Sequence, residues 1–178
     1  MLAMQAIEPH ALPPLAGDNG DSFRRFYGEA LPLVYGYLVR RCGGSAATAE
    51  DLTQETFVAV VAELRKGRRI EAPVPWVLGI ARHKLLDHYR RQSRRERTVE
   101  LGDDLELVSG VPEDANDLAV AALARVPASQ RAALVLRHLD GFSVPEIASA
   151  LGRSIEAVES LLVRGRTNFR RAYAEVNG

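Results

Sequence analysis

The segment VPEIASALGRSIEAVESLLV, residues 144–163, leaves little freedom of fold. Ser143 precedes it, and Glu146 stands three residues on, the spacing of a capping box that opens a helix. Gly152 permits a tight turn, and Ser154 is placed to cap a second helix. Ile147, Leu151, Val158 and Leu161 recur at helical spacing, while Ala148 supplies the small side chain that two closely crossing helices need. The pattern predicts two helices crossing at a tight turn, the spacing of a helix-turn-helix whose second helix fits the DNA major groove. An ordinary helical hairpin in a bundle has the same local pattern. Arg153, Arg164, Arg166, Arg170 and Arg171 favour phosphate contact; the last two also suit solvated helix-end charges.

The rest of the chain has the same character. Apolar residues at helical spacing predict helices over about 21–41, 49–65, 75–96, 117–125 and 128–139, a short one ending near 150, and a last one over about 154–173. Pro32 lies inside the first and is expected to kink or split it; Gly43-Gly44 ends it. Thr48 is read as the N-cap of the second, and Pro75 as the first turn of the third. Alanine, leucine, valine and arginine dominate, aromatics are 6%, and no convincing strand is found. The expected fold is all-α: two small helical domains, residues 21–97 and 117–178, preceded by a loose leader over 1–20 and joined by an acidic flexible linker over 98–116.

The formal charge is zero, 23 basic groups against 23 acidic, but it is laid out in blocks. Residues 65–97 carry a net +8, and residues 98–118 a net −7. Such a basic block calls for a polyanion partner. On a helix through residues 75–96, Lys84, Asp87, Arg90, Arg91 and Arg94 fall on the same front as His83, with Leu78, Ala81, Leu85, Leu86 and Tyr89 behind them. Arg82 falls among the apolar residues and is expected to snorkel. Like charges one turn apart destabilise a free helix, and an opposing anion relieves that cost. The front is therefore read as a nucleic-acid face rather than a merely solvated one.

On the helix before it, Asp51, Gln54 and Glu55 lie near Val58. A mixed acidic and apolar patch suits a protein partner; plain surface polarity explains it nearly as well. The one cysteine, Cys42, excludes an intramolecular disulfide and fits a reducing compartment, where a buried inert thiol is expected. There is no apolar run of bilayer length, so no membrane insertion is expected. A phosphate-binding loop, metal-ligand spacing and a nucleophile constellation are likewise missing from the sequence. Neither cofactor, metal nor catalysis is expected.

Taken together, AEDLTQETFVAV, VPWVLGIARHKLLDHYRR, the acidic linker and LARVPASQRAALVLRHLDGFSVPEIASALGRSIEAVESLLVRGRTNFRR resemble the extracytoplasmic-function (ECF) group of bacterial sigma-70 factors, over about 21–175. The resemblance implies a cytoplasmic, non-enzymatic transcription initiation factor with sigma regions 2 and 4. It implies docking on the β′ clamp helices of core RNA polymerase through Asp51, Gln54, Glu55, Val58 and Val61, and contact with the β flap. It implies opening of the −10 element as a single strand by Arg68 and Arg69 in the loop 66–75 and by Arg82, His83, Lys84, Asp87, Arg90, Arg91 and Arg94. It implies reading of the −35 duplex by Arg153, Ser154, Glu156, Glu159, Ser160, Arg164 and Arg166, and control by an anti-sigma factor. The acidic linker would thread the polymerase's nucleic-acid channel, or simply stay extended and soluble. His83, Glu159 and Leu161 stand where many members carry other residues. A stand-alone helix-turn-helix regulator of duplex operators is the alternative.

Overall fold

A computed structural model describes residues 13–15, 20–99 and 115–178; the side chains of 97–99 and 115–117 are outside the description. Most of the leader and residues 100–114 of the acidic linker lie outside the described residues, and with them the linker's expected role. Seven helices account for the described fold: α1 Gly20–Arg41, α2 Ala46–Leu64, α3 Pro73–Val99, α4 Ala115–Ala124, α5 Ala128–His138, α6 Val144–Leu151 and α7 Ile155–Asn177. The one β feature among the described residues is an isolated bridge between Leu15 and Ile70.

The helices differ from the sequence reading in instructive places. α1 runs unbroken through Pro32, because the ring costs one backbone bond and the buried stripe Phe26, Ala30, Val34 and Leu38 is kept. α2 is capped by Ser45 rather than Thr48: the Ser45 hydroxyl accepts from the Thr48 amide at 3.3 Å and donates to the Thr48 hydroxyl at 2.9 Å. Ala46 and Ala47, both strong helix formers, fill the added turn. α3 begins at Pro73, two residues early, and reaches Val99; both prolines sit in a first turn whose amides have no intrahelical partner. The leader is not loose throughout, since Leu15 is buried.

α1, α2 and α3 pack pairwise into one bundle; α7 packs against α4, α5 and α6 to form the other. α3 also lies against α5 and α6, so the two bundles share a seam. One hydrophobic cluster runs through both, from Leu38 and Leu85 to Leu136, Ile147 and Leu161. Gly43 and Gly44, read as a helix stop, also admit this approach. A Cβ on Gly43 would lie 3.1 Å from the Ala124 backbone, and one on Gly44 would lie 3.0 Å from a Val120 methyl. No described helix is long and apolar enough to cross a membrane.

Candidate nucleic-acid interface

The helix-turn-helix has the geometry its sequence requires. Ser143 and Glu146 form the reciprocal capping box: the Ser143 amide donates to Glu146 Oε2 at 2.7 Å, and the Glu146 amide donates to Ser143 Oγ at 3.4 Å. The Ser143 hydroxyl and amide together hold the Glu146 carboxyl below the usual carboxylate range. Gly152 takes the left-handed conformation, φ 62° and ψ 44°. The Arg153 amide donates to Ala148 O at 2.9 Å, and the Gly152 amide to Ser149 O, a Schellman termination. Ile147, Ala148, Leu151, Val158 and Leu161 are all buried in the crossing.

On α7 this leaves Ser154, Glu156, Glu159, Ser160, Arg164 and Arg166 exposed. Ser154 caps the helix by accepting from the Ala157 amide at 3.2 Å. Glu156, in the first turn, is held below its ordinary pKa, chiefly by its own backbone amide and then by the Ser154 hydroxyl. Exposed Val163 shares this side of the helix. Leu161 faces the core, which explains why a charged residue is not found there. Gly165, buried midway along α7, marks the closest approach of α5. An added Cβ would meet Leu134 Cγ at 3.2 Å and Gln130 Cβ at 3.4 Å.

α3 carries the basic front. His83, Asp87, Arg91 and Arg94 are exposed. His83 Nδ1 lies 2.8 Å from Gly79 O; because a carbonyl can only accept, Nδ1 is the donor and Nε2 is the ring nitrogen left for another partner. Arg90 Nη1 lies 3.3 Å from Asp87 Oδ1. In the loop between α2 and α3, Arg68 reaches Glu63 and Arg69 pairs with Glu71 at 2.8 Å, all on the exposed side. Lys66, first, and Arg68 hold the Glu63 carboxyl below its ordinary pKa.

The mixed patch on α2 is one helix face. Asp51 and Gln54 are exposed, Glu55 and Val61 half-buried, and Val58 is 70% exposed. Lys84 Nζ lies 3.6 Å from Glu55 Oε2, so the α2 patch and the α3 front meet edge to edge.

In this structure three of the residues expected to touch DNA are engaged across the seam. The Arg82 guanidinium lies over the Phe142 ring, 4.4 Å from its centre, so it does not simply snorkel. Arg90 Nε donates to Ala150 O at 2.6 Å. Arg153 donates from Nε to Ser93 Oγ at 2.8 Å and from Nη2 to Ser93 O at 3.0 Å. Glu96 Oε1 accepts from the Ser129 amide at the start of α5 at 2.9 Å. Arg41 at the end of α1 pairs with Asp140 in the turn before α6. Sequence reasoning missed Ser93, Glu96, Asp140 and Phe142; the sole signal was Ser93, a small polar residue on the inner side of an arginine-rich helix. Among the described residues, no group of three or more His, Cys, Asp or Glu could hold a metal ion.

Comparison with known proteins bears on the family of the chain. The model of sigma-70 region 2 matches residues 26–95, and that of sigma-70 region 4 matches residues 117–169; together they span more than half of the chain. The ECF RNA polymerase sigma factor BldN of Streptomyces coelicolor is 35% identical over 158 residues, covering 82% of this chain but only 58% of that longer protein. The ECF sigma factor SigF of Caulobacter vibrioides is 33% identical over 159 residues, covering 84% of this chain and 86% of the relative. A co-crystal structure of the sigma factor RpoE with the anti-sigma factor NepR from Bartonella quintana overlays at a TM-score of 0.48 and 21% identity, over 85% of this chain and 96% of that one. With sigma regions 2 and 4 matched in that order, and relatives 33% and 35% identical over more than four fifths of this chain, the chain belongs to the ECF group of the sigma-70 family.

Proposed function

We propose that this chain is a promoter-specificity subunit. It binds core RNA polymerase, opens the −10 element on the α3 front and reads the −35 duplex with α7, and the polymerase performs the chemistry. The observation that carries the reading is the edge shared by the α2 patch and the α3 front, marked by Lys84 and Glu55. A subunit that must hold polymerase and melted promoter at once needs those two surfaces side by side. A stand-alone operator-binding regulator needs neither the patch nor its position.

On this reading Asp51, Gln54, Glu55, Val58 and Val61 dock on the β′ clamp helices. The carboxylates offer charge there, and Val58 offers an apolar anchor of the kind found at interface centres. Arg68, Arg69, His83, Lys84, Asp87, Arg91 and Arg94, with Arg82 and Arg90 once released, face the unpaired strand. Unstacking a base costs a few kcal/mol, and cationic contact with the freed strand offsets it. On α7, Arg164 and Arg166 suit phosphates; Glu159 can accept from a cytosine amino group and Ser160 can serve either role. Arg82, Arg90 and Arg153 cannot hold both the seam and a promoter, so α4–α7 must leave α3 before DNA is engaged. Region 4 then contacts the β flap, and an anti-sigma factor acts on the same two domains. The site of action is the bacterial cytoplasm.

Run-off transcription with purified core polymerase tests this. A promoter-specific transcript that depends on the chain is expected. Tight binding to duplex DNA by the chain alone, with no such transcript from any genomic fragment, overturns the reading in favour of a stand-alone regulator.

A further inference from the structure

The loop between α2 and α3 is basic on its outside, with Arg65, Lys66, Arg68 and Arg69 all exposed. Its first half is shaped by a turn: the Lys66 amide donates to Glu63 O, the Gly67 amide donates to Leu64 O, and Gly67 adopts φ 74°. Its last residue, Ala72, already accepts the first bond of α3 from the Trp76 amide. The middle is held from outside the loop. The Leu15 amide donates to Ile70 O at 2.9 Å, and the Ile70 amide donates to Leu15 O at 2.9 Å. Among the described residues this reciprocal pair is the loop's one backbone tie other than the Arg65 amide's bond to Val61 O at the end of α2, that turn and the start of α3.

The side chains explain why the tie holds. Leu15 is 1% exposed, and Ile70 is also buried in the core. Pro13 and Pro14 precede Leu15 and are exposed; each has its φ fixed, and Pro14 keeps Pro13 extended, so little freedom is lost when this strand pairs. With Ile70 drawn inward, its extended-chain neighbours Arg69 and Glu71 turn outward.

We propose that Leu15 is a positioning residue for the basic loop, bracing it from behind so that Arg68 and Arg69 meet the promoter strand already in place. The proposal rests on the reading of this loop as part of the strand-opening surface. A loop that is ordered in advance does not lose backbone freedom when the strand arrives.

The experiment uses the full chain in holoenzyme with core polymerase, on a promoter fragment mapped first with the wild-type protein. Strand opening is followed by permanganate reactivity of unpaired thymines, beside core affinity, affinity for the −35 duplex and thermal midpoint. Leu15→Ala is expected to slow opening about tenfold, the effect of returning roughly one residue's worth of backbone freedom to the loop. Core and duplex affinities should stay as in wild type, and Leu15→Met should restore opening. Faster exchange of the Ile70 amide in Leu15→Ala reports that the bridge is broken. Wild-type opening with that bridge broken overturns the proposal. So does a parallel fall in opening, both affinities and the thermal midpoint, which would make Leu15 a core residue only. A wild-type chain that yields no promoter-specific transcript brings down the sigma reading itself and the proposal with it, an outcome seen before any variant is made.

Discussion

Arg41 Nε and Nη2 both donate to one oxygen of Asp140, Oδ1, at 3.1 and 2.9 Å, and the other carboxylate oxygen is buried without a hydrogen-bond partner. Both side chains are largely shielded from water. Arg41 also donates to Tyr37 O at 3.2 Å and stacks over the Tyr37 ring at 3.7 Å. Burial, first, and the Asp140 charge raise the Tyr37 pKa above its ordinary value. Removing the carboxylate leaves a buried guanidinium without its counter-charge, a loss on the order of 3 kcal/mol. Asp140→Ala is therefore expected to lower the urea midpoint and enlarge the radius of gyration in small-angle scattering. An unchanged radius would show that the seam does not depend on this pair.

Gly165→Val is expected to destabilise the chain by about 2 kcal/mol, because the added branch meets Leu134 and Gln130, both buried and unable to withdraw. Gly165→Ala should fall within about 1 kcal/mol of wild type, since the gain in helix propensity offsets the tighter contact. Chemical denaturation of the two variants decides the matter; equal stability of Val and Gly at this position would contradict the packing.

Cys42 is buried, and that burial pushes its thiol up to about 12 from an ordinary value near 9. A raised folded-state pKa stabilises the fold below the unfolded value, and the contribution is lost as pH rises from about 9 through about 12. The native thiol should be silent toward Ellman's reagent at pH 8 and react only as fast as the protein opens. Rapid stoichiometric labelling without denaturant is the contrary result.

Glu55→Lys combined with Gln54→Ala should weaken co-purification with core polymerase about tenfold, the cost of one charge reversal at a docking face. The thermal midpoint should hardly move, because Gln54 is exposed and Glu55 only half-buried. Undiminished core binding would remove α2 from the docking surface.

Ser143→Ala should cost about 1 kcal/mol, by taking away the hydroxyl that accepts from the Glu146 amide. Weakened −35 duplex binding should accompany the loss of α6 helicity, measured by gel shift and circular dichroism; intact binding with a frayed α6 would separate the two.

What the sequence disclosed and what it withheld divide along a physical line. Ser143, Glu146, Gly152 and Ser154 act within a few residues of themselves, so spacing alone revealed the turn, its caps and its buried contacts. The same holds for the basic front of α3, a matter of angle around one helix. Gly165 was opaque because its reason is Leu134, some thirty positions away in the chain. Arg82, Arg90 and Arg153 were legible as charges but not as donors, since Phe142, Ala150 and Ser93 become their partners only after two bundles meet. Thr48 was mistaken for a cap because Ser45 competes for the same helix end, and the winner is set by where Gly43 and Gly44 turn the chain. Leu15 sits in a Pro-rich stretch whose local preference is merely extended, and its value depends on Ile70.

Three of the contacts across the seam end on main-chain atoms: Arg90 on the Ala150 carbonyl, Arg153 on the Ser93 carbonyl, and Glu96 on the Ser129 amide. Main-chain atoms are present whatever side chain a position carries. Drift at Ala150 or Ser129 that preserves the helices therefore leaves those bonds available, while a single change at Arg90, Arg153 or Glu96 deletes one outright. The grip of one bundle on the other is thus heritable through three long side chains, two of them on α3, while Ala150 and Ser129 need only keep their place in the packing; Ser93 is held more tightly, because its buried hydroxyl also accepts from Arg153 Nε.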